Sequence, residues 1–312
     1  MVINRIRLAK VHGNERHKHN KLLYGASESG VLCRNTTNLP RRGPVVLFKL
    51  MLMVKKLSPN RIINGDCLSV MKKWPDNSVD MILTDPPWFV SKEIKIHRSL
   101  NPQKYKYVGK DINLDFGRWD HFDSEEAYWD YIKARFSEMV RVLKPKGHLI
   151  TFFDQRRISY LIDYLKEQNM LLRQHLYWLK SNPVPRARKV DFMVALEQAV
   201  WFTKGTKSGA TFNYQLGQQA NYVKHCIVGR TTRADGERIH PTQKPVGVMQ
   251  VWIIYLTNKD ELVLDPFCGS ATTCIGAWKC GRKFIGIESK YQYAKAARKR
   301  VRHFTKGSFC KF

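Results

Sequence analysis

The amino-acid sequence predicts an α/β protein with a doubly wound, mainly parallel sheet. Short apolar segments such as SVDMILT and KFIGIE alternate with longer segments whose apolar residues recur at helical spacing. Strands that are separated by helices usually pair in parallel, and the helices then cover both faces of the sheet. A chain of 312 residues can also bury a substantial core. We therefore predict one large domain over residues 53–312.

The first elements of this domain start near residue 61. RIIN is predicted as a strand, followed by a turn at Asn64 and Gly65 and by a short helix. SVDMILT is the second strand. The segment SEEAYWDYIKARFSEMVRVL is predicted as an amphipathic helix, because Ser124 is a suitable N-cap and the apolar residues have helical spacing.

The remaining elements continue this alternation. KPKGHLITFFD is predicted as a turn and strand, ISYLIDYLKEQN as a helix, and LRQHLYWLKS and FMVALEQAVWFTKG as two more strands. The pattern lapses at residues 204–238, which are predicted to form a loop or small insert with a function of its own. It resumes as helix VGVMQVWIIYLT, strand ELVLDPFCGS, helix ATTCIGAWKCG, strand KFIGIE and a last helix from Tyr291 to about Arg302.

The charge balance indicates a polyanionic partner. The chain has 54 Lys and Arg against 26 Asp and Glu, a net charge of +28, and phosphate backbones are the obvious partners of such a protein. The alternatives are a basic surface that only aids solubility, or an acidic protein partner. Residues 1–52 hold ten Lys and Arg and two Glu without a sustained period. They are predicted to form a poorly ordered basic arm that carries no chemistry. Alternatively, this arm binds nucleic acid nonspecifically.

The 7 cysteines indicate an intracellular, reduced protein. They form no CxxC pair, and Cys268, Cys274 and Cys280 recur at a spacing that fits neither a zinc site nor a disulfide scaffold. The longest apolar stretch, VVLFKLMLMV, is interrupted by Lys49 and is too short to span a bilayer. We therefore expect a cytoplasmic protein without a bound metal or a membrane anchor.

The segment LTDPPWF places polar and aromatic groups at the end of a buried strand. Asp85 follows an apolar run, at the carboxyl end where open α/β sheets bind ligands. Pro86 and Pro87 stiffen the loop and remove two N–H donors, while Trp88 adds an aromatic face. The loop thus offers hydrogen-bond acceptors beside a ring, although DPPW taken alone is more often a rigid structural turn.

The segment LVLDPFCGSATT predicts a nucleoside site. A strand leads into a glycine-containing turn and then a helix, a layout that lets the backbone approach a nucleotide closely. About 20 residues further on, FIGIE ends a strand in Glu288, the position from which an acid accepts hydrogen bonds from ribose hydroxyls in such folds. The turn has Gly269 but Ala271 where another glycine is expected. A nucleoside without a pyrophosphate is therefore favoured.

Taken in order, these segments resemble the amino-methylating DNA methyltransferases of the N4-cytosine/N6-adenine family. The resemblance rests on NGDCL, PDNSVDMILTDPPW, VLKPKG, WLKSNPVPR, ALEQAVWFTKG, HPTQKP, DPFCGS and FIGIE, and it covers the chain from about residue 62 to about residue 300. DPPW precedes DPFCGS, as in the permuted, beta-type group, whose target-recognition segment lies between them. The resemblance implies a Rossmann-like S-adenosylmethionine-dependent methyltransferase fold, with the recognition insert at about 204–238.

The resemblance also implies S-adenosyl-L-methionine as the cofactor. The residues that it assigns to the cofactor are Asp66, Thr242, Lys244, Pro245, Asp265, Phe267, Gly269, Ser270 and Glu288. Glu288 would bind the ribose and Asp66 would approach the adenine ring, while the HPTQKP residues would border the methionine end. The family usually has F-x-G-x-G at the turn, so Ala271 is a departure that concerns the backbone geometry there.

The catalytic residues that the resemblance implies are Asp85, Pro86, Pro87 and Trp88. An exocyclic base amine is a poor nucleophile because its lone pair is delocalised into the ring. Asp85 and the Pro86 carbonyl can each accept one of its N–H groups, and Trp88 can stack on a base taken out of the double helix. The cofactor's sulfonium is already a good leaving group, so this chemistry needs no metal.

Two functional classes follow from these residues. The first is a methyltransferase that acts on double-stranded DNA, as a monomer or a dimer, and the second is a nucleic-acid-binding relative that has lost turnover. RNA is a weaker alternative substrate. In the family that the chain resembles, the first residue of the tetrapeptide is commonly Asp in adenine enzymes and Ser in cytosine enzymes. Asp85 therefore favours adenine N6 over cytosine N4 as the methylated atom.

Overall fold

The structure is a computed structural model that describes residues 57–90, 95–96, 112–113, 120–183, 192–205, 208–228, 231–232, 236–240 and 242–305. Residues 1–52, for which a basic arm is predicted, lie outside the described residues.

The described residues form twelve strands, seven before residue 205 and five after residue 221. The first group is β1 (Arg61–Asn64), β2 (Val79–Thr84), β3 (Lys95–Ile96), β4 (Ile112–Asn113), β5 (Leu143–Phe152), β6 (Met170–Lys180) and β7 (Leu196–Lys204). The second group is β8 (Tyr222–His225), β9 (Thr231–Thr232), β10 (Gly236–Glu237), β11 (Leu262–Asp265) and β12 (Lys283–Glu288).

Eight of these strands form one twisted layer in the order β1-β12-β11-β2-β5-β7-β6-β8. Strand β7 is antiparallel to its neighbours β5 and β6, and every other adjacent pair is parallel. The predicted mainly parallel sheet is confirmed. The other described strands form two short antiparallel pairs, β3 with β4 and β9 with β10.

The helices agree with the predicted alternation. They are α1 (Cys67–Met71), α2 (Glu125–Val142), α3 (Ile158–Glu167), α4 (Val246–Leu256), α5 (Thr272–Lys279) and α6 (Tyr291–Thr305). The N-cap predicted for α2 is confirmed, because the Ser124 hydroxyl accepts the Ala127 N–H at 3.1 Å. None of the described helices is long and apolar enough to cross a bilayer.

Buried side chains form a core on each face of the sheet. Met81 and Leu83 belong to the cluster that contains α4, α5 and α6, whereas Ile82 between them belongs to the cluster that contains α2 and α3. Successive strand residues point to opposite faces, so a strand buried on both sides must be apolar throughout. This explains why SVDMILT has a continuous apolar run.

The carboxyl ends of β1, β2, β11 and β12 lie at one edge of the sheet because these strands are parallel neighbours. Strand β7 starts at the same edge, since it runs in the opposite direction. Residues 204–238, predicted as a loop or insert, supply the edge strand β8, in which Tyr222 pairs with Tyr177 of β6. The polar ends of distant segments of the chain therefore meet at this edge.

Candidate active site

A cavity of about 530 Å³ opens at the carboxyl edge of the sheet. Among the residues that line it are Asp85, Pro86, Pro87, Trp88, Thr242, Lys244, Asp265, Phe267, Gly269, Ser270 and Glu288. The two halves of the predicted site thus face one space. Asp66 and Pro245 are the predicted residues that do not line it.

The loop after β2 is held by a carboxylate that the sequence analysis did not identify. Asp120 Oδ1 accepts the backbone N–H groups of Trp88 and Phe89, each at 2.7 Å, and Oδ2 accepts that of Val90 at 2.9 Å. Phe89 has a left-handed backbone with φ 54°, which turns successive N–H groups toward one anion. Asp120 is buried. It therefore fixes the backbone directly after the DPPW segment.

Two further side chains hold the carbonyls of this loop. The Tyr128 hydroxyl donates to the Pro87 carbonyl at 3.1 Å, and Arg157 Nη1 donates to the Trp88 carbonyl at 3.1 Å. In the described part of the chain, no donor reaches the Pro86 carbonyl. The loop is thus anchored directly after an acceptor that remains for a ligand.

Asp85 has one oxygen in an ion pair and one without a partner. Lys244 Nζ lies 2.5 Å from Oδ2, whereas Oδ1 is buried and has no hydrogen-bond partner among the described residues. Burial raises the pKa of Asp85, and the adjacent Lys244 ammonium opposes that rise. The Trp88 indole adds a weak attraction, but its Nε1–H does not meet hydrogen-bond geometry with the carboxylate. An unpaired buried acceptor of this kind calls for a donor from a ligand.

Lys244 joins the DPPW loop to strand β7. Its Nζ lies 3.1 Å from Glu197 Oε2, and Lys180 Nζ lies 2.7 Å from Glu197 Oε1. Burial lowers the pKa of Lys244, but Asp85 and Glu197 together outweigh burial and leave that pKa above its usual range. Lys244 is therefore an ammonium here. From its motif, Lys244 is predicted at the methionine end of the cofactor, whereas Glu197 is not among the predicted site residues.

Asp265 ends strand β11 and faces the cavity. Its Oδ1 accepts the Thr84 hydroxyl at 2.8 Å and the Phe267 N–H at 3.2 Å. Burial raises the pKa of Asp265 to about 7, although these hydrogen bonds act in the opposite direction. The side chain thus links the ends of β11 and β2.

Glu288 ends strand β12 and accepts two backbone N–H groups. Its Oε2 accepts that of Gly269 at 3.0 Å, and its Oε1 accepts that of Lys290 at 2.7 Å. Burial raises the pKa of Glu288, while these two donors lower it. The carboxylate therefore anchors the glycine turn, and the remaining lone pairs on its two oxygens can accept further donors.

The turn before α5 has alanine at a left-handed position where the family pattern leads one to expect glycine. Gly269 and Ala271 both have left-handed backbones, with φ 48° and φ 62°. From α6, Arg300 Nη1 donates to the Ser270 carbonyl at 2.7 Å and to the Thr272 hydroxyl at 3.1 Å. Arg300 is a buried support of the turn that sequence reasoning missed.

Asp66 lies at the margin of the site. It caps α1 by accepting the Ser69 N–H at 3.0 Å and pairs with Arg135 at 2.5 Å. Burial raises the pKa of Asp66, but Ser69 and Arg135 outweigh burial and leave that pKa below its usual value. The Arg135 guanidinium stacks 3.4 Å above the ring of Tyr131, which lines the cavity. Tyr131 in turn lies near Phe267.

The HPTQKP segment borders the cavity before α4. Thr242 Oγ1 lies 3.1 Å from His240 Nδ1, and Pro245 is the buried residue directly before the helix. Burial, together with the nearby Lys244 ammonium, lowers the pKa of His240 to about 4. His240 is therefore a neutral ring at neutral pH, and it packs beside Gly269.

The fold and the cavity together define a Rossmann-like methyltransferase. The chain belongs to the DNA methylase family N6_N4_Mtase, whose family model matches residues 79–299. This finding identifies a DNA methyltransferase of the N6/N4 family and agrees with the resemblance carried by the sequence motifs.

Curated relatives and solved structures agree with this assignment. The type II methyltransferase M2.MboI of Moraxella bovis is 30% identical over 251 residues, covering 78% of this chain and 88% of that protein. The type II methyltransferase M.HinfI of Haemophilus influenzae is 31% identical over 256 residues, covering 78% of this chain and 68% of that protein. The M1.HpyAVI–SAM complex is 25% identical with a TM-score of 0.59 and covers 77% of this chain and 98% of that chain. The PvuII cytosine-N4-specific methyltransferase, at 20% identity and a TM-score of 0.60, covers 80% of this chain and 92% of that chain and shows the same fold.

S-adenosylmethionine is the cofactor of this family and of this chain. The cavity fits it, because Asp265 and Glu288 end two adjacent parallel strands and neither carboxylate has an ion-pair partner among the described residues. S-adenosylmethionine carries a positive charge on its sulfonium and hydroxyl donors on its ribose. Both complement the two carboxylate acceptors.

Proposed function

We propose that the protein methylates the exocyclic N6 of adenine in double-stranded DNA, on a base rotated out of the helix. The observation that carries this proposal is the buried, unpartnered Oδ1 of Asp85, which faces the same cavity as Asp265 and Glu288. A base amine supplies the donors that this oxygen and the Pro86 carbonyl lack.

The chain's own groups account for activation of the amine. Asp85 Oδ1 accepts one N–H and the Pro86 carbonyl accepts the other, so the nitrogen lone pair leaves conjugation and turns toward the cofactor. S-adenosylmethionine would supply the methyl group: its C–S bond breaks as the N–C bond forms, and the sulfonium leaves as a neutral thioether. As the new N–C bond forms, the nitrogen gives up one N–H proton, for which Asp85 Oδ1 is the adjacent acceptor. Burial raises the pKa of Asp85 and so favours that transfer.

The catalytic loop is preorganised for this reaction. Asp120 fixes the backbone N–H groups of residues 88–90, and Tyr128 fixes the Pro87 carbonyl. The Pro86 carbonyl therefore needs little reorganisation when the base enters. Trp88 lines the cavity next to Asp85 and is the candidate platform on which the base stacks.

The cofactor residues act from the opposite wall. We assign the ribose hydroxyls to Glu288 and the cationic end of the cofactor to Asp265, with Phe267, Gly269 and Ser270 shaping the turn. Asp66 acts at the adenine ring through Arg135 and Tyr131. Thr242 and Pro245 lie on the HPTQKP segment, which we assign to the methionine end.

DNA binding is supported by charge and by motif order. The net charge of +28 favours a phosphate backbone. The order of DPPW before DPFCGS favours the permuted, beta-type arrangement, with target recognition at about 204–238. Strands β8, β9 and β10 are the described strands that start within that segment.

Adenine N6 is favoured over cytosine N4 by Asp85 and by the larger ring that Trp88 can cover. The test is to methylate plasmid DNA from a host without adenine or cytosine methylation, digest it to nucleosides and separate them by mass spectrometry. N6-methyladenine is expected. N4-methylcytosine without N6-methyladenine would contradict the base assignment, and unmodified DNA would support the relative that binds nucleic acid without turnover.

A further inference from the structure

Four charged side chains of alternating sign run along one wall of the cavity. In spatial order they are Lys180, Glu197, Lys244 and Asp85. Lys180 ends β6, Glu197 lies near the start of β7, and the other two belong to the HPTQKP and DPPW segments. The row therefore connects the carboxylate of Asp85 to strands β6 and β7, which pair antiparallel.

Burial makes each member of this row depend on its neighbours. The side chains of Lys244 and Glu197 are 8% and 18% exposed, so water screens their charges weakly. Lys244 Nζ also lies 5.2 Å from the centre of the Trp88 ring and 4.9 Å from that of Phe152. The ammonium thus lies beside two rings and is paired with the carboxylates of Asp85 and Glu197.

The two carboxylates hold Lys244 differently. The contact with Asp85 Oδ2 is a hydrogen-bonded ion pair of 2.5 Å. The contact with Glu197 Oε2 has an ion-pair distance of 3.1 Å without hydrogen-bond angles. The negative charge of Glu197 thus draws the Lys244 ammonium away from Oδ1 of Asp85. Lys180 pairs with the other carboxylate oxygen of Glu197, Oε1.

We propose that Glu197 is a positioning residue for methyl transfer, which keeps Lys244 on Oδ2 of Asp85 and so leaves Oδ1 to the target amine. This inference rests on the proposed function, in which Asp85 Oδ1 accepts an N–H group of the base. An ammonium has three donors. Without the charge of Glu197, Lys244 can bridge both oxygens of Asp85 and occupy the position that the amine needs.

Glu197 also affects the charge state of Asp85. The charged groups that face Asp85 are Lys244, Glu197 and, at the end of β11, Asp265. Burial raises the pKa of Asp85, Lys244 lowers it, and Glu197 raises it. Asp85 must be ionised to accept the amine, so activity falls as pH falls through its pKa. Loss of the Glu197 charge lowers that pKa and therefore moves the acid limb of kcat/KM to lower pH.

The test compares Glu197→Gln and Glu197→Asp with the wild-type full chain, using labelled S-adenosylmethionine and unmethylated plasmid DNA. Glu138→Gln is the matched control, because the Glu138 side chain is also 18% exposed and pairs with Arg141 at 2.8 Å on helix α2. Glu197→Gln should lower kcat by about 10- to 100-fold and move the acid limb to lower pH. Glu197→Asp keeps the charge, so the limb should return and kcat should recover in part. The control should change neither quantity.

A folded Glu197→Gln protein with wild-type kcat and an unmoved acid limb would overturn the proposal. If that variant does not fold, Glu197→Asp decides. Its carboxylate is withdrawn from Lys244 by one methylene, so a lowered kcat with an unmoved limb supports the proposal and a wild-type kcat contradicts it. Failure of the proposed function has a different signature, because the nucleoside digest of the wild-type protein would then show N4-methylcytosine or unmodified DNA before any Glu197 variant is compared.

Discussion

The DPPW loop depends on the buried carboxylate of Asp120, and its removal should impair both stability and turnover. In Asp120→Ala, the backbone N–H groups of residues 88–90 lose their acceptor. Hydrogen bonds to charged groups contribute about 1.5–3 kcal/mol each, which for three bonds gives an upper limit of about 4.5–9 kcal/mol. The loop borders an open cavity, so water can reach part of the released backbone. We therefore expect a loss of about 2–4 kcal/mol in the free energy of unfolding.

Turnover should fall for a separate reason. The left-handed conformation of Phe89 costs about 1–2 kcal/mol for a residue with a side chain, and Asp120 stabilises it through the flanking N–H groups. Once the backbone relaxes, the Pro86 carbonyl loses its aim at the amine. Misplacement by about 1 Å can cost about 100-fold in rate, so kcat should fall by about tenfold or more.

Asp120→Asn provides the graded comparison. An amide retains one carbonyl oxygen, which can still accept the Trp88 and Phe89 N–H groups, but its NH₂ faces the Val90 N–H instead of accepting it. Its loss of stability should therefore be smaller than that of the Ala variant. Urea unfolding with and without cofactor, together with initial rates at saturating DNA, measures both effects. An Asp120→Ala variant with wild-type stability and wild-type kcat would refute this role of Asp120.

Four further predictions concern the site. Asp85→Ala should reduce methyl transfer by about 100-fold or more while calorimetry shows little change in cofactor binding; a near wild-type rate would contradict its catalytic role. Glu288→Gln should weaken cofactor binding and spare DNA affinity, and an unchanged calorimetric Kd would remove Glu288 from the site. Ala271→Gly should change the free energy of unfolding by less than about 1 kcal/mol, because relief of the left-handed strain offsets the lost methyl burial and the greater freedom of the unfolded chain; a loss above about 2 kcal/mol would show that packing dominates. Burial raises the pKa of Asp265 to about 7, and a cation binds the ionised form better, so cofactor affinity should rise with pH through that value; a pH-independent Kd would contradict this role.

The architecture could be predicted from the sequence because it depends on local patterns. The Ser124 cap, the helical spacing of α2 and the continuous apolar run of β2 each follow from chemistry within about 20 residues of chain. The ends of parallel strands must share one edge, so the proximity of Asp85, Asp265 and Glu288 also followed once the strands were placed.

The supports of the site could not be predicted in this way because they act across the chain. Asp120 holds a loop about 30 residues before it in sequence, and its neighbourhood, RWDHFDSEE, has the acidic composition of an ordinary helix start. Arg300 stabilises a turn 30 residues before it from a helix whose composition predicts a basic exposed surface. Glu197 offered one local signal, since LEQAVWF places a carboxylate near the start of a largely apolar strand and buried acids are almost always paired. Its partner could not be named without the register of the sheet.

The distribution of charge differs between the cavity, which fits S-adenosylmethionine, and the chain as a whole, which attracts DNA. The whole chain carries a net charge of +28. Among the residues that the structure describes, those charged and lining the cavity are five acids and three bases, namely Asp85, Asp120, Glu197, Asp265 and Glu288 against Lys180, Arg238 and Lys244. A cavity with a local excess of negative charge attracts a sulfonium cation and repels phosphate, whereas the basic chain attracts the DNA backbone. A base that enters the cavity must therefore leave its phosphates outside, and rotation of the nucleotide out of the duplex meets that condition. The row from Lys180 to Asp85 fits this arrangement, because its two ammonium groups pair with two carboxylates and so add no net positive charge to the cavity.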